Sequence, residues 1–262
     1  MNAREILIYL SLKFNGDYRR IREAIEKHEY IDDDIDIPKT DYKAVTIVDE
    51  DYPEELKRYT MCPIVLFYYG DLSLIKDINK NLAVIGSRIT TEYGSEATKE
   101  IVKDVAKDVV IVSGMARGID SIAQAQAIKC GGKTVAILGS GIDYCYPETN
   151  RDLYEEIKKN HLVISEYPGQ TQPTADQFRF RNRLIAMLSN TVLITEAYRK
   201  SGTSITANIA LNIGKNVCCL PYPIGRYSLC NHLISQGAYL IENGNQVLDL
   251  MKIREDVPIF DL

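Results

Sequence analysis

The chain has 262 residues, 45% hydrophobic and 26% charged, with 17 tyrosines, no tryptophan and a net charge of −5. That length supports one large core, or one large and one small. No apolar run approaches the ~20 residues of a membrane helix, and MNAREILIYL lacks the basic stretch and small-residue cleavage site of a secretory leader. Six cysteines without Cys-x-x-Cys spacing and three scattered histidines argue against a zinc site, so free thiols in the cytoplasm are expected, with no metal, cofactor or membrane.

In chain order, residues 3–27 read as two short helices, AREILIYLSLKF and DYRRIREAIEK, split by Asn15-Gly16. An acidic stretch follows. Residues 28–57 hold eleven acids and three bases, a net of −8, which leaves the rest of the chain at +3. The acid run reads as a solvated surface or linker, and a basic patch elsewhere remains compatible with the total. KAVTIV and PIVLFYY read as short strands around the helix-like PEELKRY. A soft boundary near residue 60 divides a small helical N-terminal domain with its acidic linker (1–60) from a main domain (61–262).

From residue 82 the pattern is regular. Apolar runs rich in β-branched residues occur at 82–86, 109–112, 134–138, 162–165, 191–195 and 216–220, each followed by a loop and a helix-like segment. Continuous apolar runs suit strands covered on both faces. Their alternation with helices predicts an α/β fold with a parallel sheet and helices on both faces. In such sheets ligands bind beyond the carboxyl ends of the strands. The loops there are GSRITTEYG (86–94), SGMARGID (113–120), GSGIDYCYPETN (139–150), SEYPGQTQPTADQFRFRNR (165–183) and EAYRKSGTSITA (196–207). Glycine amides, hydroxyls and helix N-termini of this kind suit phosphate.

Dinucleotide and nucleotide-triphosphate signatures are absent. GSRITT has one glycine where G-x-G-x-x-G needs three, and CGGKT has Ala127 where a P-loop needs its first glycine. Ser113 has no histidine beside it to serve as a base, and His161 and His232 read as surface or structural. Arg88 and Arg117 sit where strands give way to helices, a position whose dipole favours anions. Either an anion lies between them and the helix ends, or they pair with Asp120, Glu92 or Glu196. DQFRFRNRLIA (176–186) threads Phe178 and Phe180 between Arg179, Arg181 and Arg183. Guanidinium groups grip phosphates and phenyl rings stack on bases; the alternative is a helix start whose arginines pair with carboxylates.

These loops, together with LCNHLISQGA, strongly resemble in order the DNA-processing protein A family (DprA, also called Smf), from about residue 63 to residue 248. The resemblance implies an extended Rossmann-like domain that binds single-stranded DNA. It also implies a non-enzymatic role: protecting incoming strands in natural transformation and loading the RecA recombinase onto them, as a homodimer. By motif match, Ser87, Arg88, Gly114, Arg117, Gly118, Phe180, Arg181, Asn182, Arg183, Ser201 and Gly202 would line the DNA groove. Phe178 joins them as a ring able to take a base, and Arg181 and Arg183 as grips for successive phosphates.

Gln124 stands where the family has His, Arg179 where it has Pro, Tyr222 lies where it has Pro-Gly, and Leu229 replaces a Gly. Many relatives carry a C-terminal winged-helix-like module, which is not expected before Leu262. Two other readings stand beside this one. The first is a nucleoside-monophosphate hydrolase of the lysine-decarboxylase-like type, although no Glu follows Gly202-Thr203 as that family requires. The second is a sensor holding a small nucleotide in the glycine- and serine-rich loops.

Overall fold

Asn2 opens the first helix with a capping box. Its side chain accepts from the Glu5 amide at 2.9 Å, and Glu5 reaches back to the Asn2 amide at 2.9 Å. The computed structural model describes residues 2–29, 37–199, 201–223 and 228–255, with the side chains of 253–255 excepted. Asp32, Asp33, Asp34 and Asp36 of the acidic stretch therefore lie outside the described residues.

The helices α1 (Ala3–Lys13) and α2 (Tyr18–Glu26) form the expected N-terminal pair. They turn at Asn15 and Gly16, both with positive φ. Then come β1 (Lys43–Thr46), a short 3-10 turn over Glu54–Arg58 in place of a regular helix, and β2 (Val65–Gly70). The alternating part follows as β3 (Asn81–Gly86), α3 (Glu92–Val105), β4 (Val110–Ser113), α4 (Ile119–Lys129), β5 (Lys133–Ile137), α5 (Arg151–Asn160) and β6 (Leu162–Ser165). It continues as α6 (Ala175–Met187), β7 (Thr191–Glu196), α7 (Gly202–Asn212), β8 (Asn216–Cys219), α8 (Leu229–Ser235), β9 (Tyr239–Leu240) and α9 (Gly244–Glu255).

The nine strands of the described residues form one sheet in the order β1-β2-β6-β5-β4-β3-β7-β8-β9. From β6 to β9 every neighbouring pair is parallel. At the other edge β2 runs antiparallel to both β6 and β1. The soft boundary near residue 60 thus falls within a segment hydrogen-bonded into the sheet, since Lys43–Thr46 pair with residues 65–68.

Pleating sends alternate residues to opposite faces. Leu82 and Val84 pack with α3, α4 and α9, while Ala83 and Ile85 pack with α6, α7 and α8. The pair α1–α2 and the helix α5 cover the sheet near its antiparallel edge, where Leu10 and Ile21 join Phe67, Ala136 and Tyr154 in one apolar cluster. The strand order reverses direction about β3, with β4 on one side and β7 on the other. That switch point is where such sheets leave a crevice.

Candidate nucleic-acid interface

A cleft of about 1000 Å³ opens beyond the carboxyl ends of the parallel strands. All five strand-end loops singled out in the sequence reach it: Gly86–Ile89 after β3, Ala116 after β4, Tyr146 after β5, Pro173–Ala175 leading into α6, and Tyr198 with Ser201–Thr206 after β7.

The floor is built around Arg181. Helix α6 starts from a capping box, in which Thr174 accepts from the Gln177 amide and Gln177 from the Thr174 amide. The helix thereby projects Arg181 under the strand ends. The side chain is only 4% exposed. Its guanidinium donates to the Gly114 carbonyl at 2.8 Å and to the Ile137 carbonyl. Burial lowers its pKa to about 10, against the opposing pull of Asp120 and with the added repulsion of Arg88, so it remains a cation at neutral pH. Burial likewise pushes the Asp120 carboxyl up, while Arg181 and the amides of Ala116 and Gly114 hold it down. Those amides donate to Asp120 at 3.4 and 3.1 Å.

Two glycines make this arrangement possible. A Cβ on Gly114 would lie 2.7 Å from both terminal nitrogens of Arg181. Gly118 has φ +75°, and a Cβ there would lie 2.2 Å from the Ser87 carbonyl. The same carbonyl accepts from the Ile119 amide at 3.1 Å, which ties the loops after β3 and β4 together. Gly114 and Gly118 therefore shape the cleft from behind.

The walls carry rings and exposed cations. Phe178 fits against the backbone of Gly139, where a Cβ would come within 2.5 Å of its ring. Tyr146 lies 5.4 Å from Phe178, centroid to centroid, at a tilt of 39°. The guanidinium groups of Arg88 and Arg181 lie 5.7 and 6.0 Å from the Phe178 ring centre. Arg88 is exposed and has no ion pair among the described residues; the same holds for Arg117, next to the lining residue Ala116. Glu196, one of their expected partners, instead accepts from the Thr91 amide at 2.9 Å at the start of α3.

The opposite wall is the start of α7. Asn182 donates to the Gly202 carbonyl at 3.4 Å, and Thr203 to that of Gly86 at 3.0 Å. Ser201 makes no side-chain cap, and its hydroxyl has no hydrogen-bond partner among the described residues. First-turn amides of α7 thus face the cleft without a side-chain cap, a setting that favours an anion. The Ser87 hydroxyl is engaged locally, accepting from the Ile89 amide at 3.2 Å.

Phe180 and Arg183 point elsewhere. Arg183 is held by both Glu166 oxygens at 2.6 Å and by the Met61 carbonyl at 2.9 Å. It stacks 3.6 Å from the centre of the Phe180 ring, which in turn meets Tyr18 of α2 at 5.6 Å. The expected phosphate grip at Arg183 is corrected accordingly. Residues 180 and 183 lie three apart on α6, on the side facing α1–α2, and a carboxylate seventeen positions earlier satisfies the charge. Arg179 keeps the cleft rim but pairs with Asp176 at 3.1 Å.

Sequence reasoning missed Tyr146 and Tyr198, which line the cleft at 43% and 54% exposure. A chain with 17 tyrosines against five phenylalanines draws its exposed rings mainly from tyrosine, and both residues lie in loops already marked. Of the departures from the family pattern, Arg179 lies on the cleft rim, while Gln124, Tyr222 and Leu229 lie off the cleft. Gln124 is buried and donates to the Val135 carbonyl at 3.2 Å, and Leu229 is buried beside Ala197. Tyr222 donates to the Thr195 carbonyl at 3.0 Å.

A mainly parallel α/β sheet whose strand-end cleft offers arginines, uncapped amides and open rings defines a Rossmann-like protein suited to an anionic ligand that carries aromatic faces. The chain belongs to the family described as DNA recombination-mediator protein A, whose model matches residues 43–252. It is 39% identical over 209 residues to the DNA processing protein DprA of Streptococcus pneumoniae, covering 79% of this chain and 73% of that one. It is 36% identical over 179 residues to DprA of Bacillus subtilis, covering 68% and 60% respectively.

The X-ray structure of the S. pneumoniae protein superposes with a TM-score of 0.79 at 31% identity, over 93% of this chain and 95% of that one. DNA processing protein A from Helicobacter pylori, a structure described for its single-stranded DNA binding mode, superposes with a TM-score of 0.73 at 30% identity, over 83% and 98%. The fold expected from the sequence is the fold observed, and the chain is a member of a family of DNA-processing proteins that act in recombination. Among the described residues no helix is long and apolar enough to cross a membrane.

Proposed function

We propose that the strand-end cleft binds single-stranded DNA without chemistry on it. The observation that carries this reading is the convergence of Arg88, Arg181, Tyr146 and Phe178 in one cleft. In this reading Arg88 and Arg117 meet phosphates from the rim, and Arg181 supplies positive potential from the floor. Asn182, Ser201 and Gly202 present the start of α7, while Ser87, Gly114 and Gly118 hold the loops in place. Phe178, Tyr146 and Tyr198 receive unpaired bases. Duplex DNA keeps its bases stacked inside, so it forfeits the ring contacts.

The hydrolase alternative finds less support. Glu196, the carboxylate nearest Gly202-Thr203 in sequence, is buried and spent on the start of α3. By family membership we assign the chain a cytoplasmic role, as a homodimer, in protecting incoming strands and handing them to the RecA recombinase. A titration with single- and double-stranded oligonucleotides tests the binding step. Tight, salt-sensitive binding of single strands is expected, and replacing both Arg88 and Arg117 by Ala should weaken it. Equal affinity for duplex, or wild-type affinity in that variant, would refute the assignment. Recombinase-driven strand exchange on DNA coated with single-strand binding protein tests the hand-over.

A further inference from the structure

The tip of the N-terminal helix pair gathers a second set of cations and rings. Phe14 closes α1, and the turn at Asn15 and Gly16 brings α2 back beside it. Arg20 then lies 4.5 Å from the Phe14 ring centre and Lys13 lies 5.8 Å from it, with Lys13 also 5.4 Å from Tyr9. Lys13, Arg19 and Arg20 are all exposed and make no ion pair among the described residues.

The acids nearby are engaged. Asp17 accepts from the amides of Arg19 and Arg20, Glu23 pairs with Lys27 at 2.6 Å and feels Arg20 only weakly, and Glu26 pairs with Arg22. An acidic chain thus holds two cations without an ion pair among the described residues, Lys13 and Arg20, against one ring, with the exposed Arg19 next to Arg20 in sequence.

The position of this cluster matters as much as its charge. Gly16 packs directly on the loop that leaves β6, where a Cβ on it would lie 2.3 Å from the Glu166 carbonyl. Leu12 and Asn15 line a shallow hollow together with Pro168–Gln172. The next residues, Pro173 and Thr174, line the cleft itself. The connecting stretch YPGQTQPTA (167–175) contains no acid and no base. An uncharged strip of amides and hydroxyls therefore joins the cleft to the Lys13, Phe14 and Arg20 cluster.

We propose that the helix-pair tip is a second docking point for the same unpaired strand, which leaves the cleft over residues 169–173 and lays its phosphates against Lys13, Arg19 and Arg20. The proposal rests on the cleft reading above and extends it to a part of the chain that lies before the family match at residue 43. Cations with no carboxylate to satisfy them gain most from a polyanion, through release of its counterions. Phe14, already flanked by two cations, offers a face to a base passing over it.

The test uses a series of oligothymidylates, from lengths that fill only the cleft to lengths at which wild-type affinity stops rising. The full-length variant carrying Lys13→Ala, Arg19→Ala and Arg20→Ala alters only exposed side chains, and its melting temperature verifies the fold. It should match the wild type on the shortest strands and bind the longest on the order of tenfold more weakly. Its slope of log affinity against log salt should be shallower by about 0.7 for each phosphate that the variant leaves unneutralised. Arg88→Ala should weaken binding at every length.

Wild-type affinity of the triple variant at all lengths would overturn the second docking point and leave the cleft standing. So would an equal loss at all lengths, which marks general attraction rather than a path. Failure of the unaltered chain to bind any oligonucleotide would overturn both.

Discussion

At the scale of single residues, three arginines of one helix stretch have three fates. Arg179 is a rim charge in a surface pair, Arg181 is a buried cation on two carbonyls, and Arg183 is locked to Glu166. Breaking a buried pair from one side strands the other charge, at about 3–5 kcal/mol. Arg183→Met should therefore lower unfolding free energy by that order, and adding Glu166→Gln should recover part of it. Urea denaturation of the two variants measures both; an additive loss would rule out the pairing as the cause.

Tyr198 is the contrasting case, a half-exposed ring at the cleft mouth. Tyr198→Ala should leave stability within a few tenths of a kcal/mol yet reduce single-strand affinity by about 1–3 kcal/mol if one base stacks on it. Oligonucleotides with abasic sites should bind wild type and variant alike. If the variant binds intact oligonucleotides as well as the wild type does, Tyr198 is not a stacking surface.

At the scale of elements, the strand-to-helix joints decide the geometry. Gly118 combines a left-handed backbone with an approach to the Ser87 carbonyl that leaves no room for a Cβ. Gly118→Ala should cost more than about 1 kcal/mol and should also weaken oligonucleotide binding, because it parts the loops after β3 and β4. Loss of stability with unchanged affinity would detach that joint from the cleft.

His161 begins the turn into β6, buried, with Nδ1 unpartnered among the described residues. Burial, assisted by Lys133 and opposed by Glu156, keeps its pKa below the ordinary value of about 6.5. The unfolded chain therefore takes up a proton that the folded chain refuses, and stability should fall as pH drops below about 6.5. His161→Gln should flatten that fall in denaturation curves compared at about pH 7.5 and pH 5.5; an unchanged slope would assign it to other groups.

The six parallel strands from β3 to β8 were legible in the sequence, because buried parallel strands must be apolar on both faces and so appear as short continuous runs. The antiparallel attachment of β1 and β2 was not legible, since pairing direction leaves no periodic mark. The side of α6 on which each arginine emerges was equally hidden. It depends on Glu166 and on Tyr18 of another element, neither of which any spacing within 176–186 reveals.

At the scale of the whole molecule, the N-terminal pair is part of the core rather than an appendage. Leu10 and Ile21 share an apolar cluster with Phe67, Met115 and Leu138 of the sheet region. Removing residues 1–27 should lower the melting temperature and raise binding of an apolar dye; a truncated chain that melts like the full one would show that the two parts fold independently. The net charge of −5 conceals a chain whose acids concentrate between residues 28 and 57, so composition alone would have pointed away from DNA.

The cleft, finally, is assembled from stretches between residues 85 and 206 that touch only once the sheet is complete. An unfolded chain has no such surface. Whatever occupies the cleft therefore protects the chain from heat by mass action, worth about 2.7 kcal/mol when the occupant is present at a hundred times its dissociation constant, and melting curves alone can rank candidate occupants without any label or assay of activity.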